Sequence, residues 1–206
     1  MKELLQALAS LQHSPLKATV DQRIQEFKAI NKESSDELFK ELCFCIMTAN
    51  FSAERGIKIH RKLCDYFSSS TVKDLENQLR QHGYRFPNRA SHIVTAATLK
   101  QDILTRIQTL KGNELRQWLV DTIPGLGFKE ASHFLRNIGY EKYAIIDSHI
   151  LDLLDKHHII KQPTSLTKKK YVEIEQILCG IAQQVGLTLA ELDLYLWYME
   201  TGKILK

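Results

Sequence analysis

The chain has 206 residues, room for one large domain or two small ones. Its 44% hydrophobic and 25% charged residues exclude intrinsic disorder, and nine Gly and four Pro are too few for a collagenous or many-turned β architecture. Lys plus Arg number 28 against 24 Asp plus Glu, a net charge of +4 that permits a polyanionic partner without demanding one.

Apolar residues recur with a period near 3.6 along nearly the whole chain, with no convincing period-2 run, so the predicted fold class is all-α. Leu4, Leu5, Leu8 and Leu11 mark a first helix; its start, Met1-Lys2-Glu3-Leu4-Leu5-Gln6, is too polar for a secretory signal. Val20, Ile24, Phe27 and Ile30 mark a second. A candidate linker follows at Asn31-Lys32-Glu33-Ser34, and Ser34 with Glu37 reads as a capping box opening the helix of Leu38, Leu42, Cys45 and Ile46. That helix holds the longest apolar run, Leu42-Cys43-Phe44-Cys45-Ile46-Met47, far short of the ~20 residues a membrane span needs. Helices are predicted around 53–67, 71–82, 89–110 and 113–122, the last with Asn113 as N-cap. After Pro124-Gly125-Leu126-Gly127 the pattern resumes at about 128 and stops at Gly139. Further helices start near Ser148 and run through about 167–185, and Thr188 with Glu191 opens a last one ending near Gly202. The expectation is a cytosolic protein with no membrane partner.

Cys43, Cys45, Cys64 and Cys179 fit neither a disulfide framework nor the spacing of a zinc or iron–sulfur site, so all four are expected to be buried hydrophobes. No metal is expected to be bound by side chains.

The most informative stretch is Asp121-Thr122-Ile123-Pro124-Gly125-Leu126-Gly127-Phe128-Lys129-Glu130-Ala131. Two amphipathic helices meet at a turn whose glycines let a phosphate approach the backbone, and the unpaired amides of the second helix's first turn form an anion site. This is a helix-hairpin-helix pattern, which holds one DNA strand by its backbone without reading sequence. Its alternative is an ordinary αα-corner. Lys129, in the first turn of the second helix, opposes the macrodipole, which favours a free amine over a charged one. Asp147 stands eighteen residues on, in Asp147-Ser148-His149-Ile150, where a carboxylate caps the next helix or projects into a cleft opposite the lysine. An amine nucleophile beside a carboxylate suits chemistry at a sugar carbon, because the carboxylate stabilises developing oxocarbenium charge while the amine attacks.

Pro124-Gly125-Leu126-Gly127-Phe128-Lys129 followed by Ile145-Ile146-Asp147-Ser148-His149 resembles the signature of the helix-hairpin-helix DNA glycosylase superfamily. Thr48-Ala49-Asn50-Phe51-Ser52 and Phe86-Pro87-Asn88-Arg89-Ala90 fall where that fold places an early helix pair and a later barrel helix, so the similarity spans about 35–160. The resemblance implies a two-lobed fold with the active site in the cleft between lobes, Lys129 as Schiff-base nucleophile and Asp147 as the essential acid. Only Cys179 follows the catalytic region, which disfavours the iron–sulfur members, and no long amino-terminal β domain is expected. The short, all-helical second type of 8-oxoguanine glycosylase/lyase, found in archaea and some bacteria, remains. By that resemblance the partner is double-stranded DNA carrying 8-oxoguanine or abasic sites, the enzyme is monomeric and nucleoid-associated, and no cofactor is required. A monovalent cation held by hairpin carbonyls at 122–127 is also implied.

Within this type, Trp197 and Lys206 match the positions that hold the flipped oxidised base. A flipped purine needs a flat partner, which Trp197 supplies. The tail Thr201-Gly202-Lys203-Ile204-Leu205-Lys206 would bring an α-carboxylate to accept N7–H of 8-oxoguanine, a donor where guanine has an acceptor. The plain alternatives are a core tryptophan beside Leu194 and Leu196, and a frayed tail. Residues 80–101 contain Arg80, Arg85, Arg89 and Lys100 and no acid, a candidate phosphate-facing stretch. Phe86 is a candidate stacking or wedge residue. Asn50 reads as a helix cap that the resemblance places near the lesion, His133 as a solvent-exposed residue or phosphate contact, and His149 as ordering the loop around Asp147. Lys168-Lys169-Lys170 reads as a solvated helix face. Residues 1–34 with 124–206 are expected to form one lobe, and 35–123 a helical barrel.

Overall fold

The computed structural model describes residues 1–30 and 34–206, so the predicted linker at Asn31-Lys32-Glu33 lies outside the described residues. Among those described, every regular element is helical. They are α1 (Lys2–Gln12), α2 (Leu16–Ile30), α3 (Ser35–Thr48), α4 (Ala53–Leu63), α5 (Val72–Gln81), α6 (Arg89–Thr98), α7 (Lys100–Thr109), α8 (Gly112–Thr122), α9 (Phe128–Asn137), α10 (Ser148–Lys156), α11 (Lys168–Val185) and α12 (Leu189–Thr201). One 3-10 turn, Cys64–Tyr66, extends α4. No single described helix is long and apolar enough to cross a membrane.

Local chemistry sets most boundaries. The Ser52, Thr71 and Thr167 side chains accept from the N3 amides of α4, α5 and α11. The Thr188–Glu191 capping box forms in full, and Gly186 and Gly202 end α11 and α12 in the left-handed conformation. Three expectations need correction. Ser34 is the N-cap of α3 but its side chain makes no cap bond, and the Glu37 carboxylate that would complete the box by accepting from the Ser34 amide is turned to Lys40 at 3.3 Å. Asn113 lies inside α8, where its Oδ1 accepts from Arg116 at 3.0 Å, and Lys111 is the cap. The single helix predicted over 89–110 breaks at Leu99, which lets Ile93 and Ala96 of α6 and Ile103 of α7 all enter one core around a curved path.

Helix α3 is the axis of that core. Leu42 through Met47 are buried on every face of the helix, as expected of an element surrounded by others, and α4, α6, α7 and α9 pack on it. A second core joins α1 and α2 to α10, α11 and α12. The two cores divide between Tyr143 and Ala144, not at the expected 123/124 boundary: Leu126, Ala131, Phe134 and Leu135 of the hairpin pack into the barrel core. The cysteine expectation holds in part. Cys43 and Cys45 are fully buried, their thiols pushed well up by desolvation, whereas Cys64 and Cys179 are free and only half-buried.

Candidate active site

A cleft of about 510 Å³ opens where the two cores meet. Its lining brings together Lys129, Asp147, Trp197, Lys206, Asn50 and His133, residues drawn from both sides of the molecule.

The hairpin supplies Lys129. Gly125 turns the chain at φ +82°, and a Cβ there would lie 2.5 Å from His92 Nδ1, so both conformation and space require glycine. Gly127 caps α9, and its N–H donates to Glu130 Oε2 at 3.2 Å. Lys129 occupies the next position but one after the cap. Its amine stands 3.8 Å from Glu130 and its side chain is 22% exposed, reachable from the cleft yet mostly covered.

Asp147, itself in extended conformation, ends a buried irregular segment and caps α10, its Oδ1 accepting from the Ile150 amide at 3.0 Å. Capping uses one oxygen, so the two roles weighed from the sequence are compatible. Trp197 lines the cleft instead of the core, with Nε1 unpartnered and the His149 ring edge-on at 5.1 Å. His149 thus braces the tryptophan. Asn50 follows α3 in the left-handed region at φ +50°, tolerable for asparagine, and faces the cleft rim.

The tail is anchored. Lys206 Nζ donates to Glu41 Oε2 at 2.6 Å and stands 4.5 Å from the centre of the Phe44 ring. Glu41 is a buried carboxylate whose other oxygen accepts from Asn137 at 2.6 Å, so α3, α9 and the tail converge on one acid.

His133 is the clearest correction. It is buried, not exposed, because α9 packs on α3 and the ring meets Phe44 edge-on at 5.8 Å. Both ring nitrogens lack a partner, and burial together with the nearby Arg136, Lys129 and Lys206 charges pulls its pKa well below the usual histidine value. Phe86 does not line the cleft. Its ring packs 6.3 Å from Tyr84 with the Arg89 guanidinium over it at 4.5 Å, since covering an aromatic between two neighbours removes more apolar area from water than exposing it. Arg89 donates to the Met47 carbonyl at 2.9 Å and Tyr84 Oη at 3.0 Å, which makes it a brace for the end of α3. Lys100 is paired with Asp36, leaving Arg80 and Arg85 as the exposed cations of the stretch read as basic.

The sequence reading missed Glu41, Arg136, Asn137 and Asp193. Arg136, buried, and Asp193, 10% exposed at its side chain, pair at 3.3 Å in the cleft wall, and desolvation pushes Asp193 up to about 6 despite the guanidinium. A charged residue inside an apolar helix run, as at Leu192-Asp193-Leu194, was the available sign.

The fold, the hairpin lysine and the cleft aspartate define a helix-hairpin-helix DNA glycosylase. Residues 20–187 match the family described as 8-oxoguanine DNA glycosylase, and the chain belongs to that family. It is 47% identical to the 8-oxoguanine DNA glycosylase/AP lyase of Methanocaldococcus jannaschii over 98% of this chain and 99% of that one. It is 38% identical to the enzyme of the same name from Thermotoga maritima, over 99% of both chains. Among solved structures, the Methanocaldococcus jannaschii glycosylase/lyase in complex with a 15mer DNA containing 8-oxoguanine superposes with a TM-score of 0.96 at 46% identity, covering 99% of this chain and 100% of that chain. The Thermotoga maritima 8-oxoguanine DNA glycosylase gives 0.94 at 38% identity, covering 100% and 99%.

Proposed function

We infer that the chain is a bifunctional DNA repair enzyme that excises 8-oxoguanine and then cleaves the strand at the resulting site. The observation that carries this reading is that Lys129 and Asp147, brought from two elements, line one cleft of base size together with Trp197. The Lys129 amine attacks C1′ as the glycosidic bond breaks, and Asp147 stabilises the positive charge that develops on the sugar. Loss of a C2′ proton from the resulting imine then expels the 3′ phosphate by β-elimination.

Trp197 offers its face to the flipped base. The Lys206 side chain is held by Glu41, and Lys206 lines the same cleft wall as His133. A Lys206 main-chain oxygen there accepts N7–H of 8-oxoguanine and opposes the bare N7 of guanine. The hairpin holds the DNA backbone through the amides of its turn. Among the described residues, the Pro124, Gly125 and Leu126 carbonyls accept no backbone hydrogen bond, and carbonyls of this turn are the groups suited to a monovalent cation that would tie a phosphate to it. The amine and carboxylate supply the chemistry without a resident cofactor.

Borohydride trapping on a duplex with one 8-oxoguanine tests the reading. The native chain should form a covalent adduct, and Lys129→Gln should abolish adduct and strand cleavage while lesion binding stays within about tenfold. An adduct with the variant moves the nucleophile elsewhere. Adducts formed only on an oxidised pyrimidine would replace the substrate and keep the chemistry.

A further inference from the structure

Residues 143–146 lead directly into Asp147 as buried chain outside any regular element, and among the described residues they have no strand beside them. Buried backbone groups need partners. Here two side chains one turn apart on α11 provide them. Glu175 Oε1 accepts from the Ala144 amide at 3.0 Å. Tyr171 Oη donates to the Ala144 carbonyl at 2.7 Å and accepts from the Ile146 amide at 3.2 Å. A helix face thus satisfies the buried backbone of alternate residues, Ala144 and Ile146, through side chains alone.

The same side chains reach the helix that carries Lys129. Glu175 is paired with Arg116 of α8 through two bonds of 2.6 and 2.8 Å. Arg116 Nη1 also donates to Ser132 Oγ at 3.2 Å, and that oxygen lies 3.3 Å from Tyr171 Oη. Ser132 follows Lys129 by less than one turn of α9. Arg116, Ser132, Tyr171 and Glu175 are all buried, so each bond is shielded from competing water.

We propose that Tyr171 and Glu175, with Arg116, are positioning residues that set the Lys129 amine and the Asp147 carboxylate at their working separation. This inference rests on the reading of Lys129 and Asp147 given above. None of the three lines the cleft, so they act through the backbone at Ala144 and Ile146 and through α9. Misplacing a reacting group by about 1 Å costs on the order of a hundredfold in rate.

The test is Tyr171→Phe, which keeps the ring and removes the hydroxyl. The control is Tyr195→Phe, a buried tyrosine of α12 outside this network. At a temperature where circular dichroism shows both variants fully folded, single-turnover excision of 8-oxoguanine by Tyr171→Phe should fall about tenfold to a hundredfold. Binding of the lesion duplex should stay within about threefold, so that the loss falls on kcat and not on KM. Amide exchange at Ile146 should quicken in Tyr171→Phe alone. A native excision rate in folded Tyr171→Phe, or an equal loss in Tyr195→Phe, overturns the proposal. Asp147→Asn keeps the two failures apart. If it retains full turnover, the reading of the site falls and the proposal with it; if it is inactive while Tyr171→Phe is fully active, only the positioning role falls.

Discussion

At the scale of single residues, burial decides what each charge can do. Asp147 spends one oxygen on the α10 amide and presents the carboxylate to the cleft, so Asp147→Asn separates its two duties. Asparagine caps helices as well as aspartate, so the melting temperature should barely move, while base excision falls by several orders of magnitude for lack of a full negative charge. Near-normal turnover in single-turnover assays would reduce Asp147 to a cap. Lys206 makes the opposite kind of case, since its ammonium faces a carboxylate whose side chain is only 4% exposed. Lys206→Met leaves Glu41 with Asn137 alone and should destabilise the fold by about 3 kcal/mol, the cost of stranding one member of a buried pair. Chemical denaturation measures it, and an unchanged midpoint would mean that the tail is not seated on Glu41.

Among elements, the hairpin is where sequence pattern and chemistry coincide. Gly125→Ala would force positive φ on an L-residue and push a methyl to 2.5 Å from His92 Nδ1. The conformational term alone is about 1–2 kcal/mol, and the displaced His92 belongs to α6, so the barrel should be disturbed as well. Urea unfolding should report that loss, with weaker binding of undamaged duplex DNA because the turn that meets the phosphate backbone is reshaped. Most helix ends were legible in the sequence because they depend on neighbours in the chain: Thr188 with Glu191, Gly186, Gly202, and the hairpin itself. The box at Ser34 was not, since the Glu37 carboxylate that would close it turns to Lys40, a contact that no motif encodes. Nor was the break at Leu99, where core shape and not local preference divides one apolar pattern into two helices.

Across the whole molecule, buried titratable groups set the response to pH. His133 and His60 are both held below the usual 6.5, chiefly by desolvation. The unfolded chain therefore binds more protons than the fold as pH drops below about 6.5, and stability falls on acidification. Asp193 works the other way: raised to about 6 from 3.8, it keeps its proton in the fold where the unfolded chain has lost it, which favours the fold at lower pH within that window. In the unfolded chain the histidines take up protons from about pH 6.5, above the range in which Asp193 takes up its own in the fold. The melting temperature should thus drop between pH 7 and pH 6, at a limiting slope of about 1.4 kcal/mol per pH unit for each uncompensated proton. His133→Gln should shallow the drop, and a profile as steep as the native one would show that the ring titrates freely.

What the sequence by itself determined is the set of features that arise within a few residues of chain. The helical period, the caps, the glycine turn and the placement of Lys129 after it follow from local sterics and hydrogen bonding, and so does Asp147 at the head of α10. Only the tertiary structure decided which of these meet. It buried His133, packed Phe86 against Tyr84 and set Arg89 to brace the end of α3, while Trp197 was turned outward to the cleft. It also paired Glu41 with Lys206 and Glu175 with Arg116 across long stretches of chain. Such pairings depend on which helix faces share one closed volume, and that is a property of packing, which no short spacing in the chain records.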